Sequence, residues 1–273
     1  MTAPSRKSRT LKCAAILLVG LLLAGAAEVP ILRGVASFLI VEDPLRPAAA
    51  IVPLGGRVPF REIEAAKIYR AGLAPVVILV RTAPTQQTTA LQQLGITKVP
   101  EWELSRQVLV QQGVPASAIL IPKDEGIGTL EELRAAWDTL QQRAWSKEHG
   151  AGGRRTEVPS TSLRTSCGQR AADATTSTNS ANTMNANNAV SADHAINAQN
   201  ALPVILVTSK YHTRRTRLTW NYVTDGRSQA IVRAASGDPF DPDRWWQTRS
   251  YALSVVREYL GLANYYAGFP VAP

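Results

Sequence analysis

Short, uninterrupted apolar runs recur along this chain, and a segment of helical character follows each one. The runs are AAAIVPL (48–54), PVVILV (75–80), AILI (118–121) and LPVILVT (202–208), and a fifth strand is expected at 229–234. None alternates with polar residues, so each reads as a strand covered on both faces, the mark of a parallel sheet. The intervening segments read as helices. One spans 59–71, opened by Pro59 and stopped by Gly72. Others span 101–112, the segment from Thr129, 211–222, and 243–260, the last stopped by Gly261. In the helix from Thr129, the residues Leu130, Leu133, Trp137 and Leu140 share one face. The expected fold is α/β, a Rossmann-like three-layer sandwich with a mostly parallel sheet, built from 42–145 and 201–267 as a single domain. Ligands of such sheets bind beyond the carboxyl ends of the strands.

Two stretches stand outside this rhythm. Arg6, Lys7, Arg9 and Lys12 precede AAILLVGLLLAGAA (14–27), which gives a basic n-region (1–12) and then an apolar segment. Positive-inside bias places such an n-region in the cytoplasm. Two readings fit. The segment is a signal anchor over 13–41, with 29–41 lying at the membrane interface, or a signal peptide cleaved near Ala24-Gly25-Ala26. Both put the rest of the chain outside the cytoplasm. Residues 146–200 are rich in Ser, Thr, Asn, Ala and Gly and read as a disordered low-complexity insertion, because they offer too little apolar surface to offset chain entropy. Residues 41–47 read as a Pro-punctuated linker.

Charge and composition exclude some functions. The net charge is +9, but four of the basic residues lie in the leader, and the remainder is too thin for a nucleic-acid partner. Cys13 and Cys167 make no disulfide framework, and three histidines leave little for a metal cluster. Neither G-x-G-x-x-G nor a P-loop is present, so no cofactor is identified.

The strand ends carry the candidate site. Gly55-Gly56-Arg57 follows the first strand and reads either as a backbone cradle for an anion or as a tight turn that binds nothing. Thr129 and Glu132 have capping-box spacing, which leaves Glu131 to face the cleft. Thr208-Ser209-Lys210-Tyr211-His212-Thr213-Arg214-Arg215 follows the fourth strand. Ser209 and His212 are spaced to share a hydrogen bond, as an activated nucleophile needs, or else to cap the helix. Arg214, Arg215 and Arg217 point in different directions, so at most two serve the cleft. The same holds for Glu101 and Glu103, of which one can do so.

These segments resemble the SanA/YdcF/ElyC family, the bacterial "domain of unknown function 218" proteins. The resemblance rests on Leu39-Ile-Val-Glu-Asp-Pro44 leading to Ile51-Val-Pro-Leu-Gly-Gly56 and on Glu101 upstream of Gly113-Val114-Pro115. It also rests on Thr129-Leu130-Glu131, on Val207 through Arg215, and on Arg257-Glu258 in the closing helix. Alanines replace the acidic residue usual before the first strand, Arg81-Thr82-Ala83 stands where the family has SGG, and Gly128 and Glu132 replace two asparagines. The resemblance implies a Rossmann-like fold tethered by one membrane helix and a role in cell-envelope or cell-wall biogenesis. It assigns the candidate site to Gly55, Gly56, Glu101, Thr129, Glu131, Ser209, His212 and Arg215.

The expectation is a single-pass bacterial inner-membrane protein with its domain on the periplasmic side, contacting the bilayer through its N-terminal helix. It would bind or process an anionic, phosphate-bearing envelope ligand such as a lipid-linked precursor. Gly55, Gly56, Arg57, Thr129, Thr208 and Arg215 would hold the anion. His212 would act as acid/base group with Ser209, oriented by Glu101 or Glu131. A non-enzymatic envelope scaffold and a cytosolic nucleotide- or S-adenosylmethionine-binding protein are the alternatives.

Overall fold

The structure, a computed structural model, describes residues 28–150 and 202–269. The basic n-region and apolar run at 1–27 lie outside the described residues, as does the low-complexity stretch 151–201. Among the described residues no helix is long and apolar enough to cross a membrane.

Helix α1 spans 28–39. It is followed by β1 (Ala50–Pro53), α2 (Phe60–Arg70), β2 (Val77–Ile78), β3 (Arg81–Thr82), α3 (Gln86–Gln93), α4 (Glu101–Gln111), β4 (Ile119–Leu120) and β5 (Glu125–Gly126). The chain continues with α5 (Thr129–Gly150), β6 (Val204–Thr208), α6 (Thr213–Thr224), β7 (Ala230–Ala234) and α7 (Arg249–Tyr266). The main sheet has the order β4-β2-β1-β6-β7 and all its pairings are parallel. From central β1 the chain winds out through β2 and β4, then returns through α5 to wind the other way through β6 and β7. The strand order therefore reverses between β1 and β6, which pair from Ala50↔Val204 to Pro53↔Val207. Their carboxyl ends mark the topological switch point, the place where doubly wound sheets bind ligands.

Every residue of β1 and β6 is buried, and the alternation of side chains divides the core into two layers. Ile51, Val77, Ile205 and Val207 pack against α2 and against Leu109 of α4. Ala50, Val52, Ile78 and Leu206 pack against Leu133, Trp137 and Leu140 of α5 and Trp220 of α6. The α/β, mostly parallel architecture expected from the apolar runs is what the chain adopts.

Several boundaries move, each for a physical reason. Residues 29–41, read as a membrane-interface extension, pack into the domain instead. Ala36 and Leu39 are buried against Phe240, Trp245, Val255 and Leu262. Burying one leucine contributes roughly 1.5–3 kcal/mol, so the folded body begins well before 42. The supposed linker covers the free edge of β7. The Asp43 carboxylate accepts from the Val232 amide at 3.0 Å and the Glu42 carboxylate from the Ala234 amide at 3.1 Å, occupying groups that would otherwise invite another strand. Helix α5 continues to Gly150 rather than ending at 145. The closing helix begins at Arg249, after a 3-10 turn at Trp245–Gln247, and passes through Gly261 to Tyr266.

Candidate functional site

The β1/β6 switch point is built around a buried guanidinium. Arg61 lies in the first turn of α2, and its side chain reaches back under the exit of β1. There it donates to the Leu54 carbonyl at 3.0 Å, to the Gly55 carbonyl, and to Ser209 Oγ at 3.1 Å. One side chain thus ties the two strand exits together. Among the described residues its Nε has no hydrogen-bond partner, and burial lowers its pKa.

The turn after β1 is formed by Gly56 (φ 97°) and Arg57 (φ 55°), both in the left-handed region that favours glycine. Its amides are already occupied. The Gly56 N–H donates to Glu101 Oε1, from the first turn of α4. The Gly55 N–H donates to the Glu132 carboxylate, which also accepts from the Thr82 hydroxyl at 3.3 Å. A Cβ on Gly55 would stand 2.7 Å from Glu132 Oε1, so only glycine admits that carboxylate. The groups that occupy these amides are the protein's own carboxyl oxygens. Burial pushes Glu132 up to about 7 despite the attraction of Arg61. Arg57 places its guanidinium over the rings of Tyr211 and Tyr251, 5.6 and 5.1 Å from the centroids.

Past β6 the chain makes a 3-10 turn at Lys210–His212 and enters α6. His212 Nδ1 lies 2.7 Å from Glu258 Oε2. Arg215 grips the same carboxylate as a fork, Nε to Oε2 at 2.8 Å and Nη2 to Oε1 at 2.9 Å. These contacts hold Glu258 down to about 2 even though it is buried. Glu258 Oε2 and, at 3.1 Å, Arg215 Nη2 both lie against Nδ1; the ionised Glu258 accepts the hydrogen bond of Nδ1–H, and with the proton held there the Nε2 lone pair faces Thr129 Oγ1 at 3.4 Å. Arg215 Nη1 donates to that same hydroxyl at 3.0 Å. Burial takes His212 down to about 4; Glu258 opposes this and the nearby Arg215 charge reinforces it. The imidazole is therefore neutral at physiological pH and carries its lone pair toward Thr129.

Of the residues singled out from the sequence, Thr129, His212 and Arg215 meet in one cluster, and Gly55, Gly56 and Glu101 in the neighbouring turn. Several expected contacts do not form. Ser209 Oγ accepts from Arg61 rather than pairing with the imidazole, and the residue is 1% exposed. The carboxylate on His212 is Glu258, not Glu101 or Glu131; Glu131 Oε2 is buried without a hydrogen-bond partner among the described residues. Thr208 is wholly buried, and among the described residues its hydroxyl has no partner. The capping box is replaced, because Thr129 turns to His212 and Arg215 while Glu132 turns to Gly55 and Thr82. Of the remaining candidates, Arg214 covers Phe38, Arg217 pairs with Asp43, and Glu103 pairs with Arg106.

Sequence reasoning passed over Arg61, read Glu132 only as half of a capping box and a departure from the family pattern, and met Glu258 only as part of the family likeness. No protein-family model, no curated protein and no solved structure matches the chain, so the SanA/YdcF/ElyC likeness remains one of motifs.

Proposed function

We propose that this chain is an envelope-facing, membrane-tethered domain that binds a phosphate-bearing ligand at the β1/β6 crevice and processes it by proton transfer through His212. The observation that carries the binding half is the turn at Gly55-Gly56, whose two amides already hold carboxylate oxygens. A turn that coordinates two carboxylates suits an oxyanion, and Glu101 is exposed enough to yield its place. Arg57, over Tyr211 and Tyr251, and Arg215, on Glu258 and Thr129, supply the positive charge of the proposed site. The tether and the extracytoplasmic side are supported by the basic-then-apolar leader and by the likeness to an envelope family.

The test uses the full chain in detergent, with inorganic phosphate, a lipid phosphate and neutral glycan fragments as probes in thermal unfolding. We expect stabilisation by the phosphate probes only, and its loss in Arg57→Gln. Stabilisation by glycan alone, or by nothing, overturns the reading. Equal turnover of an aryl phosphate by the parent and by His212→Ala would reject the proton-transfer role. A C-terminal reporter fusion active only in the cytoplasm would reject the location.

A further inference from the structure

Proton transfer at this site faces an obstacle of access. His212 is 6% exposed and Glu258 3%, so a substrate outside the crevice does not reach the imidazole directly. Thr129 is half-buried, and its hydroxyl is the outward end of the relay that runs from Glu258 through His212. From these contacts, and resting on the phosphate-binding reading above, we propose that Thr129 is a catalytic nucleophile that takes a phosphoryl group from a phosphoester.

The environment of the hydroxyl is that of an activated nucleophile. A general base lies next to it, His212 Nε2 at 3.4 Å, and the base is fixed from behind by Glu258 at 2.7 Å. That is the ordering of nucleophile, base and orienting carboxylate that hydroxyl nucleophiles require. The Thr129–His212 separation is long, as such contacts commonly are before substrate binds. Two features lower the cost of an alkoxide at Oγ1. Arg215 Nη1 donates to it at 3.0 Å, and Thr129 is the first residue of a 22-residue helix, whose amino-terminal end carries positive potential. The hydroxyl is not engaged in capping its own helix, since the Glu132 amide donates to the Gly128 carbonyl instead. Ser209, the other hydroxyl of the region, is buried and turned to Arg61.

In the first step Thr129 Oγ1 attacks phosphorus while its proton passes to His212 Nε2. The bond from phosphorus to the leaving oxygen breaks, and that oxygen departs with the proton from Nε2. The product is a phosphothreonine ester. In the second step water attacks phosphorus and gives a proton to Nε2. The phosphorus–Oγ1 bond then breaks, Oγ1 recovers that proton, and the phosphate leaves. Arg215 neutralises the equatorial oxygens, and Glu258 is a positioning residue that keeps the proton on Nδ1.

The experiment treats the full chain in detergent with diethyl p-nitrophenyl phosphate, which transfers its phosphoryl group to activated hydroxyls, and follows p-nitrophenol release and peptide mass. The expected result is a stoichiometric burst with one diethylphosphoryl group on the peptide bearing Thr129. The burst should be absent in Thr129→Val, restored in Thr129→Ser, and slowed roughly 100-fold or more in His212→Gln. Thermal unfolding of each variant establishes that it is folded. A label on Ser209 or elsewhere, or no label on the folded parent chain, overturns the assignment. If inorganic phosphate stabilises the chain but Thr129 stays unlabelled, the nucleophile is rejected while the binding reading stands. A labelled Thr129 without any phosphate stabilisation rejects the binding reading instead.

Discussion

Gly261 of α7 lies directly beneath Arg215 of α6. A Cβ built on Gly261 would stand 2.6 Å from Arg215 Cδ and 2.7 Å from its Nε, so the fork onto Glu258 exists because residue 261 has no side chain. In an exposed helix interior, Gly→Ala gains up to about 1 kcal/mol from backbone entropy. Here the sign reverses, because the methyl group drives the guanidinium off a buried carboxylate. We expect Gly261→Ala to destabilise the fold by about 1–3 kcal/mol, read as a lower denaturant midpoint, and to weaken phosphate-dependent stabilisation. A variant as stable as the parent would show that Arg215 repacks freely.

His212 gives stability a slope on the acid side. Its folded pKa is lowered to about 4 from the ordinary 6.5, so between those values the unfolded chain holds a proton that the folded chain refuses. Stability therefore falls as pH drops from 6.5 to 4, by on the order of 3 kcal/mol from this residue. Above pH 6.5 it imposes no such cost. A His212→Gln chain should lack this component, and an NMR titration should find the imidazole of the parent neutral at pH 5. An imidazolium at that pH would contradict the burial argument.

Glu132 acts in the opposite direction over nearly the same range. Its pKa is raised from 4.5 to about 7, so as pH climbs through that window the unfolded chain releases a proton that the folded chain keeps. Stability then falls with rising pH, and the loss is complete above 7. The two slopes largely cancel in the parent chain between pH 4.5 and 6.5 and become visible only in variants. Glu132→Gln, which keeps an acceptor for Gly55 and Thr82, should match the parent at pH 5 apart from any packing cost. At pH 8 it should gain about 2 kcal/mol on the parent. Chemical denaturation at the two pH values measures the difference.

The sheet was legible because continuous β-branched runs have few other uses in a globular chain, and β1 and β6 appear where Ile51-Val52 and Val204 through Val207 stand. Strands β3 and β5 were not, since two-residue ladders of Arg81-Thr82 and Glu125-Gly126 carry no apolar pattern. α1 was misread because its apolar residues run on from those of the leader, although Ala36 and Leu39 face the domain. Gly261 read as a helix stop because glycine ordinarily punctuates, whereas its place is set by contact with Arg215. The chemistry was half legible. His212, Thr129 and Arg215 sit at strand or helix ends where topology directs attention. Arg61 and Glu258 lie within helices, where a charged residue ordinarily signals solvent, and only tertiary packing turns them inward.

Glu101 offers the sharpest probe of the anion site, because it competes with any ligand for the Gly56 amide. Its carboxylate accepts that N–H, yet the residue is exposed, so water supports it equally well elsewhere. Replacing it by glutamine removes a negative charge from the entrance and weakens the internal competitor, while the main chain of α4 is undisturbed. A charge-assisted hydrogen bond contributes about 1.5–3 kcal/mol against roughly 1 for a neutral one, a difference near tenfold in affinity. Glu101→Gln should therefore bind inorganic phosphate about tenfold more tightly than the parent by calorimetry, with little change in stability when phosphate is absent. If Glu101 instead served the ligand, as an orienting base would, the same substitution would weaken binding or turnover, and the sign of the change decides between the two roles.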